Sequence, residues 1–222
     1  MGYTKSIALC STKTSALCST KTSVEEEEEE KRKMNEHRTH CVEMLMGTFP
    51  TLALSEGTQE TPQRVSKMWD ELLKGYDDNP MDILSKQFDV DAAGDGVNTN
   101  GIVVVKDIPF FSQCEHHLVP FYGKVSIAYL PREKVVGLSK FARLVECYAR
   151  RLQVQERLTK QIITDIINYL NPHGAMVVVE AEHMCMTMRG IQKPGTKTVT
   201  SRLYGVFKDN PSARAEVLEL LK

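Results

Sequence analysis

The sequence has no apolar stretch near the roughly 20 residues that a membrane-spanning helix requires, and it carries almost no net charge. Its 28 Lys and Arg residues nearly balance its 29 Asp and Glu residues, which gives a formal net charge of −1. A chain this close to neutral lacks the basic surface of a general nucleic-acid binder. We therefore expect no membrane and no nucleic-acid partner, and any bound anion must be held by a local basic cluster.

Cysteine is present, but not in the dense framework of a small secreted domain. The six cysteines are spread over 222 residues, and the sequence shows no secretory signal pattern. These features favour a reducing, cytoplasmic location. In such a compartment, neighbouring Cys and His residues indicate a metal site more often than a disulfide.

The first 33 residues differ in composition from the rest. The octapeptide Ala-Leu-Cys-Ser-Thr-Lys-Thr-Ser occurs twice in succession, starting at Ala8 and at Ala16, and Glu25 to Glu30 form an unbroken acidic run. Such a segment offers little apolar surface to bury. We predict a disordered tail over 1–33 and a folded domain over 34–222.

Within the folded part, hydrophobic periodicity indicates both helices and strands. Apolar residues at helical spacing predict helices over 35–47, 61–75, 139–151, 154–170 and 212–221. Thr61, Ser139 and Ser212 are the predicted N-caps. Alternating or β-branched stretches predict strands over 101–105, 123–130, 175–187 and 197–206, with a loop over 88–100. Helices mixed with strands that look antiparallel predict an α+β fold.

Two short motifs carry the side chains of a candidate metal site. Cys114 and His117 are three residues apart and can both turn toward one ion, and His183 and Cys185 would project from the same face of a strand. Cys114, His117 and Cys185 form a ligand set that suits tetrahedral zinc. Three protein ligands leave one position open, which is the catalytic pattern.

The two remaining histidines leave two interpretations open. If the zinc site is catalytic, His116 and His183 are free for proton transfer, for which imidazole is suited near neutral pH. If the site is structural, one of them is the fourth ligand and closes it. Spacing alone does not decide between the two.

Basic residues at predicted helix starts form a candidate anion site. Arg64 and Lys67 follow the Thr61-Pro62 start, and Lys140 and Arg143 follow Ser139, where free backbone N–H groups already favour an anion. Arg189 lies shortly after the second metal motif. The alternative is that these charges are solvated surface residues.

Taken together, the motifs resemble GTP cyclohydrolase I. The matching stretches are Thr-Pro-x-Arg-Val-x-Lys-Met at 61–68, Cys-Glu-His-His-Leu-Val-Pro-Phe at 114–121, Gly-Leu-Ser-Lys-Phe-Ala-Arg at 137–143, Gln-Val-Gln-Glu-Arg-Leu-Thr at 153–159 and Glu-His-Met-Cys-Met-Thr-Met-Arg-Gly at 182–190. The resemblance covers about residues 34–222. Several motifs in order make a chance match very rare, whereas any one of them is a weak signal.

The resemblance implies a role for each of these positions. Cys114, His117 and Cys185 are the implied Zn²⁺ ligands, and His116 and His183 the implied acid–base histidines. Glu156, with Gln155 beside it, is the implied guanine anchor, since a carboxylate matches the N1–H and N2–H₂ donors of guanine. The implied triphosphate ligands are Arg64, Lys67, Ser139, Lys140, Arg143 and Arg189.

The implied reaction is hydrolytic opening of the guanine ring of GTP. Water adds at C8 while a histidine, His183, protonates N7; formate leaves, the ribose rearranges and the ring recloses as 7,8-dihydroneopterin triphosphate. The resemblance does not tell folate, tetrahydrobiopterin and deazaguanine synthesis apart. A related enzyme acting on another pterin or deazaguanine, and a non-catalytic zinc scaffold, are the alternatives.

The resemblance also implies a fold and an assembly. It predicts the tunnelling fold (T-fold), in which an antiparallel sheet with helices on one face joins others in an oligomeric barrel. The N-terminal helices would span 34–75 and the T-fold core 101–222. The implied assembly is a homodecamer with sites between subunits, in which Arg64 and Lys67 come from a neighbouring chain.

Overall fold

The structure, a computed structural model, describes residues 20–49, 55–89 and 101–222. These residues fall into two compact units, one ending at Lys67 and the other spanning Met68–Lys222. The α-helices are α1 (Thr20–Gly47), α2 (Thr61–Leu72), α3 (Pro80–Leu84), α4 (Leu138–Ala149), α5 (Gln155–Leu170), α6 (Met184–Thr187), α7 (Val206–Asp209) and α8 (Pro211–Leu221). The strands are β1 (Gln87–Asp89), β2 (Val103–Cys114), β3 (Pro120–Leu130), β4 (Lys134–Val136), β5 (Leu152–Gln153), β6 (Gly174–His183) and β7 (Lys197–Gly205).

The first unit consists mainly of α1 and the start of α2. The helix predicted over 35–47 begins earlier, at Thr20, so residues 20–33 differ from the predicted tail; residues 1–19 lie outside the described part of the chain. Glu, Lys and Arg have high helix propensity. Ion pairs between residues three or four apart, such as Arg32 Nη2 to Glu29 Oε1 at 2.8 Å, also stabilise the helix. The hydroxyl of Ser66 donates to the backbone oxygen of Asn35 over 3.0 Å and joins α2 to α1.

The second unit is built on a five-stranded sheet in the order β5-β2-β3-β6-β7. Strands β2, β3, β6 and β7 pair antiparallel, and the two-residue β5 pairs parallel with the end of β2. The sheet is therefore mixed, whereas the prediction was antiparallel. Strand β2 is longer than the predicted 101–105, because a bulge between Val105 and Ile108 shifts the register and interrupts the alternation that the prediction used.

The main core lies between one face of the sheet and helices α4 and α5. On β3, Val125, Ile127 and Tyr129 face this core, as their alternation predicted. The opposite face is covered at one end by a second cluster, in which Phe207 and Val217 pack against Ala128 and Met176. Helices therefore pack on both faces, not on one, because alternate residues of β3 and β6 are apolar at this end. The α+β class is confirmed, with this second helical layer added.

Polar contacts brace the connection between α4 and α5, which contains β5. The hydroxyl of Tyr148 donates to the carboxylate of Asp165, and the Arg151 guanidinium lies 4.8 Å from the centre of the Tyr148 ring. The buried amide of Gln153 donates to the Tyr148 carbonyl over 3.1 Å and to Gln161 over 2.7 Å. These contacts fix the segment that leads into α5.

Several predicted element ends differ from the structure. Thr61 is the first residue of α2 rather than its N-cap, and α2 and α4 end at Leu72 and Ala149, before the predicted 75 and 151. Gly137, not Ser139, occupies the N-cap of α4. Asn210, not Ser212, caps α8, and its side chain accepts from Ser212 N and Ala213 N; proline follows Asn210 at the first helical position, which favours this start. Strand β6 ends at His183, four residues before the predicted end at Thr187. No helix in the described part of the chain is long and apolar enough to cross a membrane.

Strand β3 packs closely against β6 at Gly123, and from this contact we predict the effect of a substitution on the free energy of unfolding. A Cβ atom at this position would collide with the backbone oxygen of Glu180 and lie 2.7 Å from the Cα of Ala181. We expect Gly123→Ala to lower the free energy of unfolding by about 1–3 kcal/mol or more, since backbone atoms cannot move aside as a side-chain tip can. Denaturant unfolding measures this loss. The control is Gly101→Ala, where the added methyl group meets no atom within 4 Å; equal losses in the two variants would contradict the prediction.

Candidate metal centre

The first two candidate ligands lie in the tight loop that joins β2 to β3. Cys114 is the last residue of β2, and its N–H donates to the oxygen of Val119 over 2.9 Å, while the N–H of Leu118 donates back to the oxygen of Cys114 over 2.8 Å. Leu118 has a φ of 55°, so the chain reverses within a few residues. This reversal places the His117 ring beside the Cys114 thiol, with Nδ1 4.0 Å from Sγ.

The third candidate ligand comes from the chain that follows β6. Strand β6 pairs with β3 as far as His183, which lies opposite Phe121, and Met184–Thr187 then form one helical turn, α6. The prediction that His183 and Cys185 share one face of a strand is therefore wrong. The turn, not strand alternation, brings Cys185 to the β2–β3 loop.

The structure brings three predicted ligands together. One ligand atom from each of Cys114, His117 and Cys185 lies within 4.8 Å of the others. In tetrahedral zinc the ligand atoms are about 3.5–3.8 Å apart, as follows from the usual metal–ligand bond lengths. Burial raises the pKa of the Cys185 thiol, the neighbouring Cys114 thiol adds to this, and Arg189 opposes it. A cation between the sulfurs would favour both thiolates, so the donor set fits a metal.

His116 lies two residues after Cys114 but is not part of the three-residue group. Its Nδ1 lies 3.9 Å from Cys114 Sγ, and its ring meets the ring of His117 edge-on with 6.2 Å between centres. The side chain is exposed. Among the described residues, the group that could hold a metal has three members, which favours the open, catalytic arrangement over the closed one.

His183 is held on the core side of the sheet. Its ring stacks on Phe121 with 4.6 Å between centres and 1° between planes, and its Nε2 lies 2.8 Å from Gln155 Oε1. Burial lowers the pKa of His183, and the nearby carboxylate of Glu156 opposes this effect. Glu156 lies in the first turn of α5 and is exposed. The structure thus places Glu156 close enough to His183 to affect its pKa, and His183 lies two residues before Cys185.

Glu115 and Arg157 form a contact that sequence reasoning did not identify. The two terminal guanidinium nitrogens of Arg157, Nη1 and Nη2, donate to the Glu115 carboxylate over 2.6 and 2.7 Å, and this lowers the pKa of Glu115. The N–H of Glu115 also donates to the oxygen of Gln153 over 3.0 Å. These bonds join the β2–β3 loop, called the metal loop below, to the start of α5. Glu115 and Arg157 each lie in a motif that carries the family resemblance. The spacing of residues along the sequence does not show that the two side chains face each other.

The predicted anion ligands lie on separate elements. Ser139, Lys140 and Arg143 share the first two turns of α4, with Ser139 and Arg143 exposed. Arg189 is exposed and acts electrostatically on Cys185. Arg64 and Lys67 are exposed on α2 in the first unit, where Arg64 pairs with Glu60 over 2.7 Å. The structure therefore places Arg189 close enough to Cys185 to affect its pKa, and the roles of all six residues as triphosphate ligands remain predictions.

Comparisons with known proteins give a consistent family. The family model described as GTP cyclohydrolase I matches residues 38–222. The chain is 56% identical to "GTP cyclohydrolase 1" of Bacillus subtilis over 75% of this chain and 85% of that protein. It is 49% identical to the protein of the same name from Bacillus cytotoxicus, over 82% of this chain and 94% of that protein. It is 53% identical to the one from Clostridium kluyveri, over 82% and 95%.

The convergence of two thiols and one imidazole predicts a measurable metal site. We expect Co²⁺ added to metal-free protein to give a thiolate-to-cobalt charge-transfer band with the intensity of two thiolates. Cys185→Ser should lower that intensity by about half and weaken binding at least about tenfold, since ligand loss should cost no less than loss of a supporting contact. Cys41→Ser, at an exposed cysteine of α1, is the control. Full intensity in Cys185→Ser would exclude Cys185 as a ligand.

Proposed function

The chain belongs to the GTP cyclohydrolase I family, and from that membership we propose which of its residues carry the reaction. As an enzyme of this type, it converts GTP to 7,8-dihydroneopterin triphosphate with release of formate, the first step of pterin and folate synthesis. The observation that supports the assignment of residues is the convergence of Cys114, His117 and Cys185 at one point. His183 lies two residues before Cys185, and Glu156 acts on it electrostatically.

Zn²⁺ is the metal that we propose for the Cys114, His117 and Cys185 group. Two thiolates and one imidazole suit this ion, and three protein ligands leave a position open. When bound, zinc supplies a Lewis acid that makes water nucleophilic near neutral pH. Cys114 and His117 lie at one tight chain reversal and Cys185 follows a paired strand, so the fold itself holds these residues close together, which would limit the entropy lost when an ion binds.

His183 is the proposed acid that protonates N7 of the guanine ring. Its ring is fixed on Phe121 and by Gln155, so proton transfer needs no reorientation of the imidazole. Burial keeps the pKa of His183 below the usual histidine value, which makes its protonated form a stronger acid. His116, exposed on the metal loop, is the proposed second acid–base group for the later steps.

Glu156 is the proposed anchor of the guanine base. An ionised carboxylate accepts from both N1–H and N2–H₂ of guanine, whereas adenine offers no matching pair of donors. Its place in the first turn of α5 also favours a negative charge there. The triphosphate would be bound by Ser139, Lys140 and Arg143 on α4, by Arg189, and by Arg64 and Lys67 on α2.

The proposed assembly is a homo-oligomer, with a decamer implied by the family. Strand β7 is at the edge of the sheet and spans nine residues, Lys197–Gly205. A long edge strand presents unpaired backbone groups that a strand of another copy can complete. Joining sheets in this way is what the tunnelling fold requires. A cytoplasmic location remains a prediction from cysteine usage.

A GTP turnover assay tests the proposed role of His183. We expect zinc-loaded protein to release formate and a pterin that fluoresces after oxidation, and His183→Ala to keep its zinc but lose at least about 100-fold in kcat, the usual contribution of a positioned acid. His173→Ala, an exposed histidine just before β6, is the control and should keep full turnover. Loss of zinc from the His183→Ala protein would instead indicate that His183 is a metal ligand.

The role of Glu156 predicts a loss of base selectivity. ITP lacks the 2-amino group, so the wild-type protein should use it with a lower kcat/KM than GTP. In Glu156→Ala the preference for GTP over ITP should fall by about 10- to 100-fold, since a hydrogen bond to a charged group contributes about 1.5–3 kcal/mol. Glu133→Ala, in an exposed loop, should keep the preference. An unchanged GTP to ITP ratio in Glu156→Ala would assign base recognition to another residue.

A further inference from the structure

Gln155 is a buried glutamine whose amide hydrogen-bonds only within the protein. The residue is 1% exposed. Its Nε2 lies 3.0 Å from the backbone oxygen of Val179, 3.0 Å from that of Thr198 and 3.2 Å from Thr200 Oγ1. Backbone carbonyl oxygens can only accept, so the amide NH₂ must face them. The side-chain oxygen of Gln155 therefore faces the other way, toward His183.

The threonine hydroxyls around Gln155 allow one arrangement of hydrogen atoms. Thr159 donates its only hydroxyl hydrogen to the backbone oxygen of Gln155 over 2.8 Å. In the 2.6 Å contact between the Thr159 and Thr200 hydroxyls, Thr200 must then be the donor. Its single hydrogen is thereby used, so Thr200 can only accept from the Gln155 amide. All three neighbours of Nε2 are acceptors, and a flipped amide would place an oxygen against three oxygens.

This arrangement decides which nitrogen of His183 carries hydrogen. Gln155 Oε1 can only accept, and it lies 2.8 Å from His183 Nε2, so Nε2 must carry a hydrogen in both the neutral and the protonated imidazole. Neutral His183 is therefore the Nε2–H tautomer, in which Nδ1 carries no hydrogen. The stack on Phe121 fixes the ring plane, and the bond from Gln155 fixes the rotation within that plane.

We infer that Gln155 is a positioning residue that locks His183 in the Nε2–H tautomer, so that His183 exchanges its proton with the substrate through Nδ1. The inference rests on the proposed acid–base role of His183 and deepens it. It also reassigns the side chain of Gln155, which the family resemblance had placed with Glu156 as a guanine ligand.

The test is the ¹⁵N NMR spectrum of protein labelled with ¹⁵N-histidine, recorded in the solid state with zinc bound. At about pH 9, above the usual histidine pKa of about 6.5, we expect His183 to show a protonated Nε2 and an unprotonated Nδ1. The signals are identified by their loss in His183→Asn. In Gln155→Met, which keeps the side-chain length but removes the acceptor, we expect a mixture of tautomers, unchanged zinc content and at least about a tenfold lower kcat.

Gln153→Met is the matched control, because Gln153 is also a glutamine with 1% exposure but its amide bonds to Tyr148 and Gln161. It should lower the melting temperature as Gln155→Met does, and leave the His183 tautomer and kcat unchanged. A protonated Nδ1 in the wild type, or full turnover or zinc loss in Gln155→Met, would overturn the inference. A different result would refute the proposed acid–base role itself, namely full turnover in His183→Ala.

Discussion

The antiparallel pairing of β3 with β6 is the constraint on which the site depends. The pairing aligns Phe121 with His183, so the loop that precedes β3 and the turn that follows β6 emerge side by side. Cys114 and His117 are carried by the loop, and Cys185 by the turn. A slip of one residue in this register would turn Phe121 and His183 to the other face of the sheet and separate the ligands. Close contact at Gly123, two residues along β3, secures that register against slippage.

Helix α5 contributes the second group of candidate site residues. The start of this helix is held in place by strand pairing, by an ion pair and by a buried hydrogen bond. The short parallel pairing of β5 with β2 places the start of α5 beside the metal loop. The pair of Arg157 with Glu115 then spans the surface between them, while Gln155 extends from the same turn into the core to reach His183. One helical turn therefore presents a cation, a carboxylate and a buried amide to three different parts of the site.

Much of the site could be predicted from the sequence because its ligands lie in short local motifs. Cys114 and His117 are three residues apart, so their spacing suggests a shared ion, and the other motifs of the chain strengthen that weak signal. The prediction that His183 and Cys185 share one face of a strand is wrong, since apolar alternation does not show where β6 ends and a helical turn begins. The roles of Gln155 and Arg157 depend on contacts with residues far along the chain. The periodicity of apolar residues does not reveal contacts between distant parts of the chain. The motifs therefore indicate that Gln155 and Arg157 belong to the site, but not which residues they contact.

The position of the ligands on the β2–β3 loop and after β6 has a consequence for folding. Cys114 and His117 are neighbours in the unfolded chain, so a metal ion can meet two ligands before any sheet exists. Cys185 is separated from the loop along the chain by α4, α5 and β6, so packing of these elements is needed to bring it there. A third bond from Cys185 to a bound metal would then be available to the native state alone, and its free energy would add to the stability of the fold. Metal supply should therefore influence how much of the chain is folded, as well as how much of it is active.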